Sequence, residues 1–497
     1  MRVLLAIALL LAACAPAPKQ PAEPREKRTV ILDTPQADAA AGEEQNRDVS
    51  AQVGIVKDPK LEKYLQALGE KLVRFATDRP FAYRFQVVDQ WSPNAFALPG
   101  GFIYVSRGLL VLTNSEDELA CVIGHEITHA AARHAAGRQT YMQQLPPFSL
   151  GLPRMASVAA YARDQERMAD TGGQRLCAAA GYDPRAMSTF LQSLDAIERL
   201  QMGSSRIPTF LDTHPGTGER IGSTAVFAST LPPPPPRDVA ALREKYLEHF
   251  EGVVLGADPA EGVIDGSRFL HPDMDFGLAF PNGWQIMNTP AAVVAAPQRH
   301  DARFALEDAG PGDDPEAVAK PDLEKRLSEV RAVIEFQGRQ ETRCCKTYVV
   351  RGSVMSPQGF ALAGQLTWIA LGGRVYRLSA AFVPIAAQKY ADRARLFVRS
   401  FHPLSPDERA SIQVTRLKLV RAKAGETIPQ LSARTGNVYD THQTAIANGL
   451  SVDAQLTEGE LLKIGVRVPY TGQDQTPPPG PAPAPEPRPA KHKRDSG

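Results

Sequence analysis

The stretch CVIGHEITHAAARH, residues 121–134, gathers side chains that can hold a metal ion and move protons. His125 and His129 are four positions apart, so a helix sets both imidazoles on one face, one turn from each other, where they can reach a single ion. Glu126 follows the first of them. From there it can act on a water at the ion rather than on the ion itself. A catalytic zinc takes three protein ligands and keeps one position for water. The third ligand must then come from another helix, and Glu166 in DQERMAD is the candidate. Asp170 lies one turn further along the same face, placed to accept the outer ring N–H of a ligand imidazole and so orient it. One zinc per chain, held by His125, His129 and Glu166, would bring its water toward neutral pKa and stabilise an oxyanion. Glu126 would serve as general base on that water and then pass the proton to the leaving amine of a peptide.

Other residues nearby are less suited. His134 stands five positions after His129; at about 100° per residue it points away from both candidate ligands and reads as structural. Cys121, one turn before His125, reads as a small core residue rather than a ligand. Glu166 and Asp170 alone would pass for a solvated helix face. The HExxH in the preceding helix is what makes them candidates.

These residues need helices to present them. Ser115 with Glu118 predicts a capping box opening the helix that carries His125. LPPFSLGLP (145–153) breaks the chain, and a second long helix is expected from Arg154 to Ala180, stopping at Gly181. Upstream, Asp58-Pro59 starts a helix with an apolar stripe of Leu61, Tyr64, Leu65, Leu68 and Leu72. FAYRFQVVD (81–89) and GFIYVS (101–106) read as strands, with ALPGG between them as a turn. LPPPPPR (231–237) is a linker, followed by a helix. Residues 264–405 mix strand-like runs (TYVVRGSV, VYRLSAAFV) with helical stretches at 316–333 and 386–399; FLHPDMDF (269–276) and FPNGW (280–284) read as turns with aromatic packing. This is a separate α+β domain with no catalytic constellation.

Composition sets the frame. The chain has 497 residues, 43% of them hydrophobic, 42 prolines and a net charge of +1, enough for two to four domains and without the basic excess that nucleic-acid binding requires. Cys121, Cys177, Cys344 and Cys345 show no CxxC zinc spacing, and the adjacent pair is poorly placed to bridge itself, so pairing stays open. MRVLLAIALLLAAC has the shape of an export signal: one Arg, then an apolar run too short to span a membrane comfortably. The expected organisation is a signal over 1–14, a tether over 15–45, a catalytic domain over 46–230, a Pro-rich linker and helix over 231–263, the α+β domain over 264–405, a small unit over 412–470 and a disordered, Pro-rich, basic tail over 471–497. The fold class is multidomain α+β.

NAFALPGGFIYV, ELACVIGHEITHAAARH and RDQERMAD, in that order and spacing, resemble the HtpX/BepA-like zinc metallopeptidases, the gluzincin peptidase family M48, over about residues 46–225. The resemblance implies a mainly helical zincin-type core with a small sheet, zinc on His125, His129 and Glu166, Glu126 as base and Asp170 behind a ligand. Its membrane-embedded members carry transmembrane helices that this chain lacks, which places it with the exported branch. LAAC resembles a lipobox in which Cys14 is lipidated. No Asp follows it, so the expected location is the periplasmic face of the outer membrane, held there by the lipid alone. Asn94 to Gly101 is similar to the family's strand beside the cleft, where substrate adds by backbone pairing, with Asn94, Ala95, Phe96 and Gly100 its candidate residues. FLDTHPGTGERI (210–221) resembles the closing motif. There His214 either stabilises the oxyanion, occupies zinc's open position and holds the enzyme latent, or caps a turn; Arg220 is a candidate for an ion pair. Substrates implied are unfolded or misassembled envelope proteins. Residues 412–470 resemble a βααβ LysM module through GET (425–427), IPQLSARTG, NGL (448–450) and LLKI. This implies peptidoglycan as a partner, beside the reading of a packing module without ligand. A chaperone or scaffold with a latent metal site, and a zinc amidase of cell-wall peptides, are the other functional readings.

Overall fold

The computed structural model describes residues 34–76, 81–137, 152–201, 210, 214, 217–327, 331–355 and 361–472. Cys14 with its leader, the start of the breaker at 145–153, and residues 473–497 of the tail lie outside the described residues. Among those described, no helix is long and apolar enough to cross a membrane.

Helix α1 (Pro35–Gln52) opens where Thr34 accepts a hydrogen bond from the Ala37 amide. It takes in residues 35–45, which composition assigns to a tether. Tertiary contact overrides the weak local signal: buried Asp38 pairs with Arg133, and Gly42 lies so close to Pro99 that a Cβ would stand 1.9 Å from its carbonyl oxygen. Helix α2 (Pro59–Val73) is capped by Asp58, with Pro59 at its first position, and buries Leu61, Leu65, Leu68 and Leu72. Each such leucine contributes about 1.5–3 kcal/mol.

A small sheet follows, with β1 (Arg84–Val88), β2 (Ala95–Leu98) and β3 (Phe102–Ser106) in the order β1-β3-β2. β1 runs parallel to β3 and β2 antiparallel to it, which leaves β2 at an edge. One face of the sheet carries Phe102 and Tyr104 toward Val49 of α1 and Val53 just after it. The other carries Phe85, Val87, Ile103 and Val105 into the main core. Around that core lie α3 (Arg107–Leu112), α4 (Glu116–Ala131), α5 (Leu152–Ala179), α6 (Ala186–Gln201), α7 (Thr217–Ala228) and α8 (Val239–Glu248). The capping box expected at α4 forms by half. Ser115 accepts from the Glu118 amide, but the Glu118 carboxylate turns to the Asn114 amide at 2.7 Å and to Thr189. The polyproline stretch is pinned by Arg237 to Asp117, and α8 sinks Tyr246 and Leu247 into the main core, so residues 231–250 belong to the first body rather than swinging between two.

After β4 (Val254–Leu255), a second body holds two sheets. β5 (Val263–Asp265), β6 (Arg268–His271) and β7 (Phe276–Ala279) form a meander that β15 (His402–Pro403) extends at β7. FLHPDMDF is therefore a hairpin, not a turn alone. A seven-stranded antiparallel sheet is built from β8 (Gln285–Thr289), β9 (Ala292–Ala296), β10 (Ala302–Pro311), β11 (Arg331–Glu341), β12 (Lys346–Met355), β13 (Ala361–Leu371) and β14 (Arg374–Phe382), in the order β11-β12-β13-β14-β10-β9-β8. It packs α9 (Pro315–Leu327) and α10 (Ala387–Arg399). The helix expected over 316–333 ends at Leu327, because from Arg331 the β-branched and aromatic residues pair with β12. Cys344 and Cys345 do bridge each other. They sit in the turn between β11 and β12, free of the alternation that sends strand neighbours to opposite faces.

The short α11 (Pro406–Ser411) leads to β16 (Gln413–Arg421), α12 (Ile428–Thr435), α13 (Thr441–Asn448) and β17 (Leu461–Pro469). β16 and β17 pair antiparallel, and β4 adds to β16. This unit is keyed into the first body by Lys463. It is 1% exposed, and its Nζ donates to the carbonyls of Val111 (2.6 Å) and Thr113 (2.8 Å) at the end of α3. Lys463→Ala strands two buried carbonyls and should cost about 2–4 kcal/mol. A denaturant midpoint for the full chain equal to wild type would refute this keying. The chain is thus a mixed α and β multidomain protein with several sheets.

Candidate metal centre

Helix α4 is buried on every side from Leu119 to Ile127, as suits a helix at the centre of a body. Helix α5 crosses it at unusually close range. A Cβ at Gly173 would lie 2.6 Å from the His125 backbone nitrogen and 2.9 Å from its Cα; one at Gly124 would lie 2.9 Å from the Gly173 carbonyl oxygen, and one at Gly172 2.5 Å from Thr128 Cγ2. The disulfide Cys121–Cys177 fastens the same two helices one turn before His125. Cys121 is therefore committed to a cross-link and is not a ligand.

The crossing brings the polar groups together. Nε2 of His125 lies 3.0 Å from Nε2 of His129. Glu166 reaches His125 Nε2 with Oε2 and His129 Nε2 with Oε1, each at 3.5 Å. His214 Nδ1 lies 3.3 Å from His125 Nε2 and 2.9 Å from Glu166 Oε2. All four side chains are buried, and one donor atom from each lies within 4.8 Å of the others. The donor set suits zinc. With metal–nitrogen bonds of about 2.0–2.1 Å, a tetrahedral ion holds its ligand atoms about 3.3 Å apart, and the separations here straddle that value.

Behind this group lies a second layer. His125 turns Nδ1 to Asp170 Oδ1 at 3.0 Å. Arg220 grips Asp170 with two hydrogen bonds (2.7 and 2.8 Å), donates to the His214 carbonyl at 2.9 Å and stands 3.3 Å from Glu166 Oε2. His134 sits closer to the group than helical phase suggests: its Nδ1 is 2.8 Å from Nδ1 of His129. The helix ends at Ala131, and Arg133 adopts φ 52°, which swings the following ring back. His134 is then held by Gln165, whose side-chain amide donates to its carbonyl.

The electrostatics are those of a dry site. Burial pushes the Glu126 carboxyl up from its ordinary range, against the pull of His214 and His125. Burial alone would lower the His125 imidazole, but its bonds to Asp170 and Glu166 win and raise it to about 9. For His129, burial and then the charge of His125 drive the value well down. Glu166 and Asp170 pay a burial penalty that their histidine and arginine partners more than offset, so both are held low. Glu126 Oε1 and His214 Nε2 are buried without a hydrogen-bond partner among the described residues, 3.5 Å from each other.

The remaining candidates are placed as follows. His214 stacks on Phe210 (4.2 Å between centroids), and the Phe210 amide donates to the Pro93 carbonyl, which ties this segment to the entry of β2. Asn94 is buried, with its backbone N–H and C=O both bonded to Ser106. Ala95 is buried under β2, whereas Phe96 turns to the α1 side and stacks on Tyr104. Gly100 takes φ 83° in the turn, where a Cβ would meet Ala39 at 2.9 Å. What sequence reasoning missed is the close helix crossing, the cross-link and His134. Two adjacent glycines inside a predicted helix, each costing about 1 kcal/mol there, were the available signal for the crossing.

Residues 59–225 match the family model described as peptidase family M48. A beta-barrel assembly-enhancing protease of Yersinia pestis is 31% identical over 232 residues, 42% of this chain and 46% of that protein. One from Escherichia coli K12 is 30% identical over 211 residues, 38% and 43% of the two chains. The mitochondrial metalloendopeptidase OMA1 of Schizosaccharomyces pombe is 31% identical over 172 residues, 32% of this chain and 50% of that one. The chain spans about half the length of the curated relatives it matches.

Proposed function

We propose, from the match of residues 59–225 to peptidase family M48, that the chain is a zinc-dependent endopeptidase that cuts unfolded or misassembled cell-envelope proteins. The observation that carries this is the convergence of His125, His129, Glu166 and His214, with Glu126 beside them. A bound zinc supplies Lewis acidity, polarising a peptide carbonyl and making water a better nucleophile near neutral pH. Glu126, its carboxyl raised by burial, takes the proton of the attacking water and returns it to the leaving amine. Asp170 fixes the tautomer of His125, and His134 acts likewise on His129. Arg220 holds Asp170 and Glu166 in register. β2, which among the described residues pairs with β3 alone, takes the substrate as an added strand on its outer edge.

His214 is the latch in this reading. Its Nδ1 stands among the other donors, where a fourth protein ligand would displace the water. The envelope substrates rest on the names of the two assembly-enhancing proteases. Residues 413–469, in the order strand, helix, helix, strand, support a LysM-like module with peptidoglycan as its partner.

The full chain should cleave casein, lose that activity on removal of the metal with phenanthroline and regain it with zinc. His214→Ala should raise cleavage about tenfold, the gain expected when the open state is populated about one part in ten. A fall of about 10²-fold instead would make His214 an oxyanion donor. Absence of metal-dependent cleavage in both proteins would overturn the peptidase reading.

A further inference from the structure

At one corner of the seven-stranded sheet, large apolar side chains are exposed on both faces beside an edge that no described strand pairs. β11 ends the sheet, and among the described residues no strand pairs with its outer side. Such an edge offers a row of unpaired N–H and C=O groups to another chain. The register sets Arg331 opposite Met355, and Ala332 opposite Val354, itself opposite Leu362; Ile334 stands opposite Gly352. Residues directly opposite share a face and neighbours along a strand alternate. Val333 and Met355 therefore stand on one face, and Ile334 and Leu362 on the other. They are 65%, 45%, 42% and 36% exposed. Helix α9 covers the second face only further along, over Tyr348, Val350 and Trp368.

The two-sided exposure selects the occupant. A helix laid on this corner would cover one face and leave the other wet. An added strand continues both faces at once, because its side chains alternate, and it satisfies the edge backbone as well. The rest of β11 is closed to this. Its register shifts between Ile334 and Phe336, and beyond the bulge Arg339 is bound to Asp314 and Glu316. We propose that Arg331–Ile334 is a docking edge that captures an extended, apolar segment of an unfolded polypeptide by strand addition. The capture needs no hydrolysis and is independent of the metal centre.

The test is fluorescence anisotropy of a short labelled peptide, alternating valine and threonine, titrated with the full chain. The double change Val333→Lys and Ile334→Lys should weaken binding about tenfold or more. Val226→Lys, at an exposed position of α7, should leave it unchanged. Methylating alternate backbone nitrogens of the peptide should weaken binding as much as the double change does, since strand pairing needs those donors. Equal binding by the double variant would overturn the proposal, as would equal binding of the methylated peptide. So would a chain that dimerises through this edge in sedimentation and ignores the peptide; the occupant would then be a second copy.

Discussion

Replacing Glu126 by Gln should leave one zinc bound per chain and lower the cleavage of casein by about 10²–10⁴-fold, the usual worth of a general base. The substitution keeps size and shape in a fully buried position. It removes only the ability to take a proton. The proposed ligand atoms of His125, His129 and Glu166 are untouched, so metal content and unfolding midpoint should stay near those of wild type. Glu126 Oε1 lacks a hydrogen-bond partner among the described residues, and burial penalises its charge, so an uncharged amide there costs little. The two readouts divide the possibilities. Full metal with lost cleavage assigns the base. Full metal with retained cleavage would move that role to another group and sink the proposed chemistry.

The second large effect lies where no polar atom is involved. Gly173→Ala should weaken zinc binding about 10–100-fold, the range seen when the supports of a metal ligand are disturbed, and destabilise the fold by about 1–3 kcal/mol from overpacking. The added methyl would stand 2.6 Å from a backbone nitrogen. Backbone cannot rotate out of the way as a side chain can, so α4 and α5 must separate. His125 and His129 ride on one helix and Glu166 on the other, and separation pulls them apart. Gly222→Ala is the control. It sits in α7 with nothing within 4 Å of its Cβ, and there alanine should stabilise by up to about 1 kcal/mol. Competition with a chromophoric chelator measures the affinity. If Gly173→Ala holds zinc as tightly as wild type, the close crossing is not what assembles the ligands.

The meeting of His125, His129 and Glu166 is legible in the sequence because helical periodicity is local and exact enough to carry it. Four residues along one helix fix the imidazole pair, and a charged face in the next helix offers few other partners. His134 is illegible for the same reason inverted. Periodicity holds only while the helix lasts, and the helix stops at Ala131. The helical reading of 316–333 fails at its end because strand pairing with β12 is a contact with residues far along the chain. The helix at Pro35–Gln52 is hidden by its composition of alanine and charge; it is held by Asp38 on Arg133 and by Gly42 against Pro99, neither of which a window of sequence contains. The halves of the site that sequence misses are therefore the ones made by tertiary approach.

Lys463 makes two distant stretches of the chain depend on each other in folding. It completes the end of α3, yet it lies 350 residues after Thr113 in the chain. The first body therefore cannot complete that end until β17 has folded against it, however early its own helices form. Through that interval the body that carries the site lacks one of its internal props. A prop supplied by β17 ties the stability of this body to the folding of a unit 350 residues further along the chain.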